Sequence, residues 1–344
     1  MVLANPDEWL VAWRGRIVHL EAVGQQDIEN ARPMQKDSLF AIASMTKPIT
    51  ATAIMILGDA GKLSIDDPVS KYVPQFKNVR LKNGDEPKRP ITIRDLMTHT
   101  SGVTGTQEVK GSLKSAAELI AGEPLAFQPG AKWQYGPGLN VCARIVEVVS
   151  GQSFDRFLDK RIFGPLKMTD TTFYPTVTQQ KRLARLYKPR TSEGKRLVLT
   201  THWISDTSAD RPPNGSSCLF STCSDMARFY QMILNGGQLD GRRIVAEASV
   251  RAMTRVQTGK LRTGFTSGNG WGLGWGVVRE PQGATKMLSP GTFGHGGALG
   301  TQGWVDRKRE MIFVLMIQRI GFGNGDASDI RREFQQLAVE SLVK

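Results

Sequence analysis

Ser44 and Lys47 stand three residues apart in Phe40-Ala41-Ile42-Ala43-Ser44-Met45-Thr46-Lys47-Pro48-Ile49-Thr50, at a point where helix signals begin. Ser44 is a favoured N-terminal residue, Pro48 is tolerated only in a first turn, and Ile49, Ala53, Ile56 and Leu57 continue as an apolar stripe ended by Gly58 and Gly61. On a helix opened by Ser44, residues i and i+3 share a face, so a hydroxyl nucleophile would meet an amine placed to act as its base. Ser-x-x-Lys also arises by chance, with Ser44 a simple cap and Lys47 a solvated charge. The chemistry therefore needs partners from elsewhere in the chain.

Two stretches offer them. Tyr135 lies in Pro129-Gly130-Ala131-Lys132-Trp133-Gln134-Tyr135-Gly136-Pro137-Gly138, a turn-rich approach to a helix that would present its phenol to a cleft. His295 lies in Gly294-His295-Gly296-Gly297-Ala298 beside an expected edge strand, where glycines would let a ligand approach the backbone and His295 would supply a donor or a partial positive charge. The bland alternatives are a packed aromatic with a bonded hydroxyl and a hairpin turn with a structural histidine. Lys47 serves as a base only if burial or nearby positive charge lowers its pKa, and backbone N–H groups at a helix start are available to an oxyanion.

Composition narrows the class. With 344 residues the chain has room for one large domain or two intimate ones. The net charge of +13 favours encounter with anions, yet the basic residues are scattered, and the densest cluster, Lys188 to Arg196, reads as a solvated loop. No zinc-finger spacing, phosphate-cradling loop or aromatic-interleaved basic patch occurs, so nucleic acid is not an expected partner. Cys142, Cys218 and Cys223 read as small buried thiols, and the four histidines form no metal-binding pair, so no cofactor or metal is expected. No run of about 18 apolar residues suggests a membrane span, and the first residues lack a leader pattern. A soluble, cytoplasmic protein is expected as written, or a periplasmic or secreted one if a leader has been removed.

The positioning elements follow from periodicity. A hairpin joins Trp9–Trp13 to Ile17–Glu21. Helices are expected from Ile93, over Gly138–Val149, Phe154–Ile162, Met226–Leu234 and Ile330–Leu342, and short strands at Trp275–Val278, Gly291–His295, Gly303–Asp306 and Met311–Ile317. Strands at both ends with helices between imply an α+β fold: one antiparallel sheet from the N- and C-terminal segments (residues 1–77 and 216–344) flanked by helices, and a mostly helical inserted domain (78–215), with the active site between them.

Ser44-Met45-Thr46-Lys47, Tyr135 and His295-Gly296-Gly297, in this order and spacing, resemble the three active-site elements of the serine β-lactamase and penicillin-binding-protein superfamily. The likeness is greatest to its class C β-lactamase-like branch, which includes family VIII esterases, D-aminopeptidases and DD-peptidases. Gly61 to Pro68, His99-Thr100-Ser101-Gly102, Leu219-Phe220-Ser221-Thr222 and Trp271-Gly272-Leu273-Gly274-Trp275 agree, so the resemblance runs from the first hairpin to the last helix. It implies a β-lactamase/transpeptidase-like fold in which Ser44 is acylated and Lys47 and Tyr135 share the proton traffic. The N–H groups of Ser44 and Ala298 would form the oxyanion hole, with His295 and Gly297 at the substrate. Two departures weaken recognition of a classical β-lactam. Pro137 stands where the family's Tyr-x-Asn asparagine would be, with Asn140 displaced into a helix, and His295 replaces the usual lysine. The resemblance thus favours a carboxylesterase-like hydrolase of small esters or amides. A β-lactamase or D-amino-acid peptidase is the alternative, and a non-catalytic penicillin-binding or scaffold protein the second.

Overall fold

In the computed structural model, which describes residues 7–190, 197–321 and 325–342, a seven-stranded antiparallel sheet organises the chain. Its strands are β1 (Asp7–Trp13), β2 (Arg16–Val23), β3 (Asn269–Trp271), β4 (Gly276–Val278), β5 (Phe293–Gly296), β6 (Gln302–Asp306) and β7 (Met311–Ile317), in the spatial order β3-β4-β5-β6-β7-β1-β2. The pairing of β1 with β7, Asp7 opposite Ile317 through Trp13 opposite Met311, brings the two ends of the chain together. The sheet is covered on both faces, so β7 is buried along its whole length. Ile312, Val314 and Met316 pack in the main core with Met226, Phe229 and Ile233 of a helix over Cys223–Leu234, whereas Met311 and Phe313 face Phe334 and Val339 of the last helix, Asp329–Glu340. Strand alternation supplies both faces from one run of apolar residues.

Four further helices matter for the site: α1 (Thr46–Asp59), α2 (Ile93–Thr98), α3 (Leu113–Gly122) and α4 (Gly138–Ser150). Helix α1 departs from expectation. It begins at Thr46 after a 3-10 turn at Ala43–Met45, Ser44 makes no side-chain cap, and every residue from Thr46 to Leu57 is buried. A helix enclosed on all sides has no need of a stripe. The expected helix at Phe154–Ile162 becomes an α-turn, Phe154–Leu158, followed by a π-turn, Asp159–Phe163. Within Lys188 to Arg196, Lys188 and Pro189 belong to a strand, Tyr187–Pro189, paired with Leu197–Leu199, while residues 191–196 lie outside the described residues. The three cysteines are free and buried. Among the described residues no helix is long and apolar enough to cross a membrane.

Strand β5 is an interior strand, not an edge, but its pairing with β4 stops at Gly294, while pairing with β6 continues to Gly296. His295 sits opposite Gly303, and a Cβ at Gly303 would lie 2.0 Å from the hydroxyl of the fully buried Tyr230. The register beside the site thus depends on a missing side chain. Gly303→Ala is expected to cost about 1–3 kcal/mol in denaturant unfolding, the usual penalty of overpacking. Adding Tyr230→Phe should recover part of the loss, because the displaced hydroxyl has no partner among the described residues. A Gly303→Ala protein of unchanged stability would contradict this packing.

Candidate active site

The turn that carries Ser44 is built from both ends of the chain. Phe40 and Ala41 pair with Ser221 and Phe220, and the Ile42 N–H donates to the Leu219 carbonyl at 2.9 Å. Ala43 then takes φ +47°, a left-handed conformation that costs a non-glycine residue on the order of 1–3 kcal/mol and persists only where its surroundings enforce it. On the other side, Thr301 Oγ1 donates to the Ile42 carbonyl at 3.1 Å. A Cβ on Gly297 would lie 2.1 Å from Thr301 Oγ1, 2.6 Å from the Ile42 oxygen and 3.1 Å from the Ala43 Cβ. At Gly296 the same space is taken by Asp326 and Gln302. On the side where a Cβ would stand, these glycines therefore make room for the protein's own atoms. Ala298, next in sequence, is exposed.

Lys47 is fully buried one helical turn beyond Ser44. Its Nζ donates to Ser44 Oγ at 3.1 Å, to Gln107 Oε1 at 2.9 Å and to the Ser216 carbonyl at 2.8 Å. Burial holds its pKa well below the ordinary lysine value, with the Cys218 thiol acting weakly the other way. The solvated first-turn alternative for Lys47 is thereby excluded.

Tyr135 arrives on a loop fastened to the end of α2. Thr92 and Asp95 form a reciprocal cap at the start of α2, and His99 ends it in the left-handed conformation. The His99 carbonyl accepts from the Gln134 N–H at 2.9 Å and its Nδ1 from the Gly136 N–H at 3.4 Å, on either side of Tyr135. A Cβ at Gly102 would meet the Phe127 oxygen at 2.4 Å and one at Gly138 the Leu96 oxygen at 2.8 Å, so the loop and the start of α4 lie directly on α2. The phenol is within hydrogen-bonding reach of Ser44, and burial pushes its pKa up, with Ser44 opposing and Asp326 adding to the rise. Lys47 Nζ lies 4.6 Å from the centre of the Tyr135 ring, over its face. Lysine and tyrosine thus meet at the serine.

His295 is buried and its Nδ1 pairs with the Gly296 carbonyl at 2.6 Å, which requires the proton on Nδ1. Burial, and then the charge of Lys47, push its pKa down to about 3. It is a neutral imidazole, so the expected partial positive charge is corrected to none. His99 is likewise held neutral by burial. Trp133, Phe265 and Trp271 complete an aromatic wall, with Tyr135 and Phe265 ring centres 5.1 Å apart, Trp133 and Trp271 5.2 Å, and Trp271 and His295 5.4 Å. Gly274 lets the segment after Trp271 settle on α1, since a Cβ there would meet Ala51 at 2.6 Å.

The structure thus gathers Ser44, Lys47, Tyr135, His295 and Gly297 at one place. Sequence reasoning missed Gln107, Ser216 and the aromatic wall. The first two come from the loops Val103–Ser115 and Thr200–Ser217, which carry no periodic signal. Asn140 is inside α4 and fully buried, with Nδ2 donating to the Gln107 carbonyl and Oδ1 accepting from the Ser216 N–H. A concavity of about 730 Å³, lined by residues including Arg185, His202, Trp203 and Gln318, lies elsewhere. The centre is defined by its bonds, not by the volume around it.

This fold, with a buried lysine in its central helix bonded to a serine in the turn just before it, defines a β-lactamase-type serine hydrolase superfamily. The Beta-lactamase family model matches residues 8–338, and the chain belongs to that family. It is similar to Esterase EstB of Burkholderia gladioli, 30% identical over 89% of this chain and 84% of the relative. It is also similar to a Putative D-alanyl-D-alanine carboxypeptidase of Escherichia coli K12, 30% identical over 81% of this chain and 68% of the relative. Among solved structures, EstCE1, a hydrolase with promiscuous acyltransferase activity, superposes with a TM-score of 0.81 at 22% identity, covering 98% of this chain and 93% of its own. The family therefore has esterase and peptidase members.

The state of His295 is open to measurement without any substrate. Side-chain ¹⁵N NMR should find the Nδ1–H tautomer unchanged from pH 8 to pH 5, since the folded imidazole titrates only at about 3. An imidazolium signal at pH 6 would contradict the site as described. Stability follows with a fixed sign: the unfolded chain takes its proton near 6.5, before the folded one, so His295 withdraws stability as pH falls from about 6.5 towards 3.

Proposed function

We propose that this protein is a serine hydrolase that cleaves an ester or amide bond through an acyl-enzyme on Ser44, with carboxylesterase-like activity favoured. The observation that carries the proposal is the buried Lys47 amine, its pKa held well below the ordinary lysine value by burial, 3.1 Å from the Ser44 hydroxyl. A serine hydroxyl becomes a useful nucleophile when an uncharged base is bonded to it. Tyr135, whose pKa is raised, is suited to donate a proton and not to act as the resting base.

In acylation, Ser44 Oγ forms a bond to the substrate carbonyl carbon while its proton passes to Lys47 Nζ. The face of the Tyr135 ring then supports the new ammonium. Negative charge on the carbonyl oxygen is met by the backbone N–H groups of Ser44 and Ala298, which the close packing of Gly297 on Ile42 and Ala43 holds on neighbouring segments. As the carbon–oxygen bond to the leaving group breaks, Tyr135 gives its proton to the departing oxygen and takes one in return from the Lys47 ammonium, so that both groups end acylation as they began. Water repeats the sequence on the acyl group and restores the serine hydroxyl.

The substrate follows from charge. Recognition of a substrate carboxylate calls for a permanent cation, and the third motif here offers a neutral His295 beside an aromatic wall. Small neutral esters fit that surface better than β-lactams or C-terminal peptides. The arrangement also agrees with a sheet unit of residues 1–77 and 216–344, which supplies Ser44, Lys47 and His295, and an inserted unit of 78–215, which supplies Tyr135 and Gln107.

Ser44→Ala should abolish hydrolysis of a p-nitrophenyl ester and labelling by a fluorophosphonate, while Tyr135→Phe should lower acylation on the order of 10²–10⁴-fold. Intact mass after a short incubation should show one acyl group on Ser44. Full esterase activity in Ser44→Ala would sink the proposal, and rapid turnover of a chromogenic cephalosporin or a D-Ala-D-Ala peptide with little esterase activity would move the assignment to the peptidase side of the family.

A further inference from the structure

The geometry points to Gln107, on a separate loop, as the positioning residue that aims the Lys47 lone pair at Ser44. This rests on the proposed acyl-enzyme chemistry at Ser44.

The argument is a count of hydrogens and acceptors. A lysine ammonium has three donors, and Lys47 has three partners: Ser44 Oγ, Gln107 Oε1 and the Ser216 carbonyl. Two of these, an amide oxygen and a backbone carbonyl, only accept. The third is a hydroxyl with a proton of its own. When Lys47 is uncharged it keeps two N–H donors and one lone pair, and the two accept-only partners claim the donors. The lone pair then lies in the one remaining direction, towards Ser44. Without Gln107 a single acceptor holds the amine, which is free to turn about the Cε–Nζ bond and point its lone pair away from the serine.

The backbone of both acceptor residues, at the Gln107 main-chain carbonyl and the Ser216 N–H, is held by the same two buried asparagines. Asn140 Nδ2 and Asn214 Nδ2 donate to the Gln107 carbonyl at 2.9 and 2.7 Å. Their Oδ1 atoms accept the Ser216 N–H at 3.0 and 2.8 Å, and that of Asn214 also takes the Ser217 N–H at 3.0 Å. Asn140 is 0% and Asn214 1% exposed, so the clamp is shielded from water. Each amide faces a carbonyl with its nitrogen and an N–H with its oxygen, which leaves its orientation unambiguous. The groups that face Lys47 from other elements are His99, Tyr135, Cys218 and His295, all uncharged near neutral pH, so no neighbouring ion competes with Gln107 for control of the amine.

The test compares Gln107→Met, which keeps the side chain's length without its acceptor, with Gln107→Glu, which keeps the acceptor and adds charge. Acylation by a p-nitrophenyl ester is followed against pH, and the Lys47 ¹³Cε resonance, assigned by difference with Lys47→Arg, is titrated by NMR. In Gln107→Met, kcat should fall about 10–100-fold with KM little changed. Its acid limb and the ¹³Cε titration should move to lower pH, because the ammonium has lost a partner. In Gln107→Glu both should move to higher pH, because a carboxylate favours the ammonium. Two variants that melt near the wild type and shift the same titration in opposite directions support a positioning role that general loosening of the loop does not produce. An unmoved ¹³Cε titration in both variants, or a loss confined to KM, overturns it. The NMR arm needs no turnover: opposite shifts in a protein inert to esters would uphold the Gln107–Lys47 coupling and remove the hydrolase proposal instead.

Discussion

Taking the Lys47 amine out of water is the constraint around which the rest of the structure is arranged. Desolvation penalises the ammonium, so an isolated lysine at this depth would be strongly destabilising unless neutral or fully bonded. The chain meets this with three acceptors drawn from three segments, the 3-10 turn before α1, the loop after α2 and the loop before the Cys223–Leu234 helix. The same burial that costs stability lowers the proton affinity of the amine, and a lysine on a solvated helix face would stay charged and useless as a base. Stability and reactivity are set against each other at one atom, and the asparagine clamp is the part of the fold that holds the balance in place.

A second constraint is close approach. Strand β5 must lie almost on top of the Ser44 turn, and the contacts that a Cβ would make at Gly297, Gly296 and Gly303 show that backbone and side chains already fill the space. Glycine is used here for proximity, since none of these three has a positive φ. The strain is placed one residue before Ser44, at Ala43, whose left-handed conformation is enforced by Thr301 and Gly297 on one side and by the Phe220–Ser221 strand on the other. The turn, the strand and the buried lysine are thus one rigid assembly, and a shift in any of them changes the distance from Ser44 to its base.

Much of this was legible in the sequence, and what was missed has physical reasons. The strands that pair the chain ends were readable because each is a dense apolar or alternating run bounded by turns, whereas Asn269–Trp271 is three residues with a central glycine and gives no periodic signal. Ser44, Lys47, Tyr135 and His295 were found because their spacing is that of a known family. The subsidiary stretches proved to be positioning devices: His99 to Gly102 fastens the Tyr135 loop, Leu219 to Ser221 fastens the Ser44 turn, and Gly274 seats its segment on α1. Of the two readings of His295, donor or partial positive charge, local sequence could not choose, because its neutrality comes from burial by distant residues. Gln107 was invisible for the same reason, since only the folded chain brings residue 107 within 2.9 Å of residue 47.

Pro137 carries no side-chain amide, and the Lys47 amine takes its side-chain amide acceptor from Gln107, on a separate loop. Because the Gln107 backbone carbonyl is fixed by Asn140 at the start of α4 and by Asn214 in the loop before the Cys223–Leu234 helix, this contact ties together stretches far apart in the chain. A loop with no periodic signal thus holds the amine beside Ser44. Under the proposed chemistry, a change in that one loop would alter the base without altering the serine.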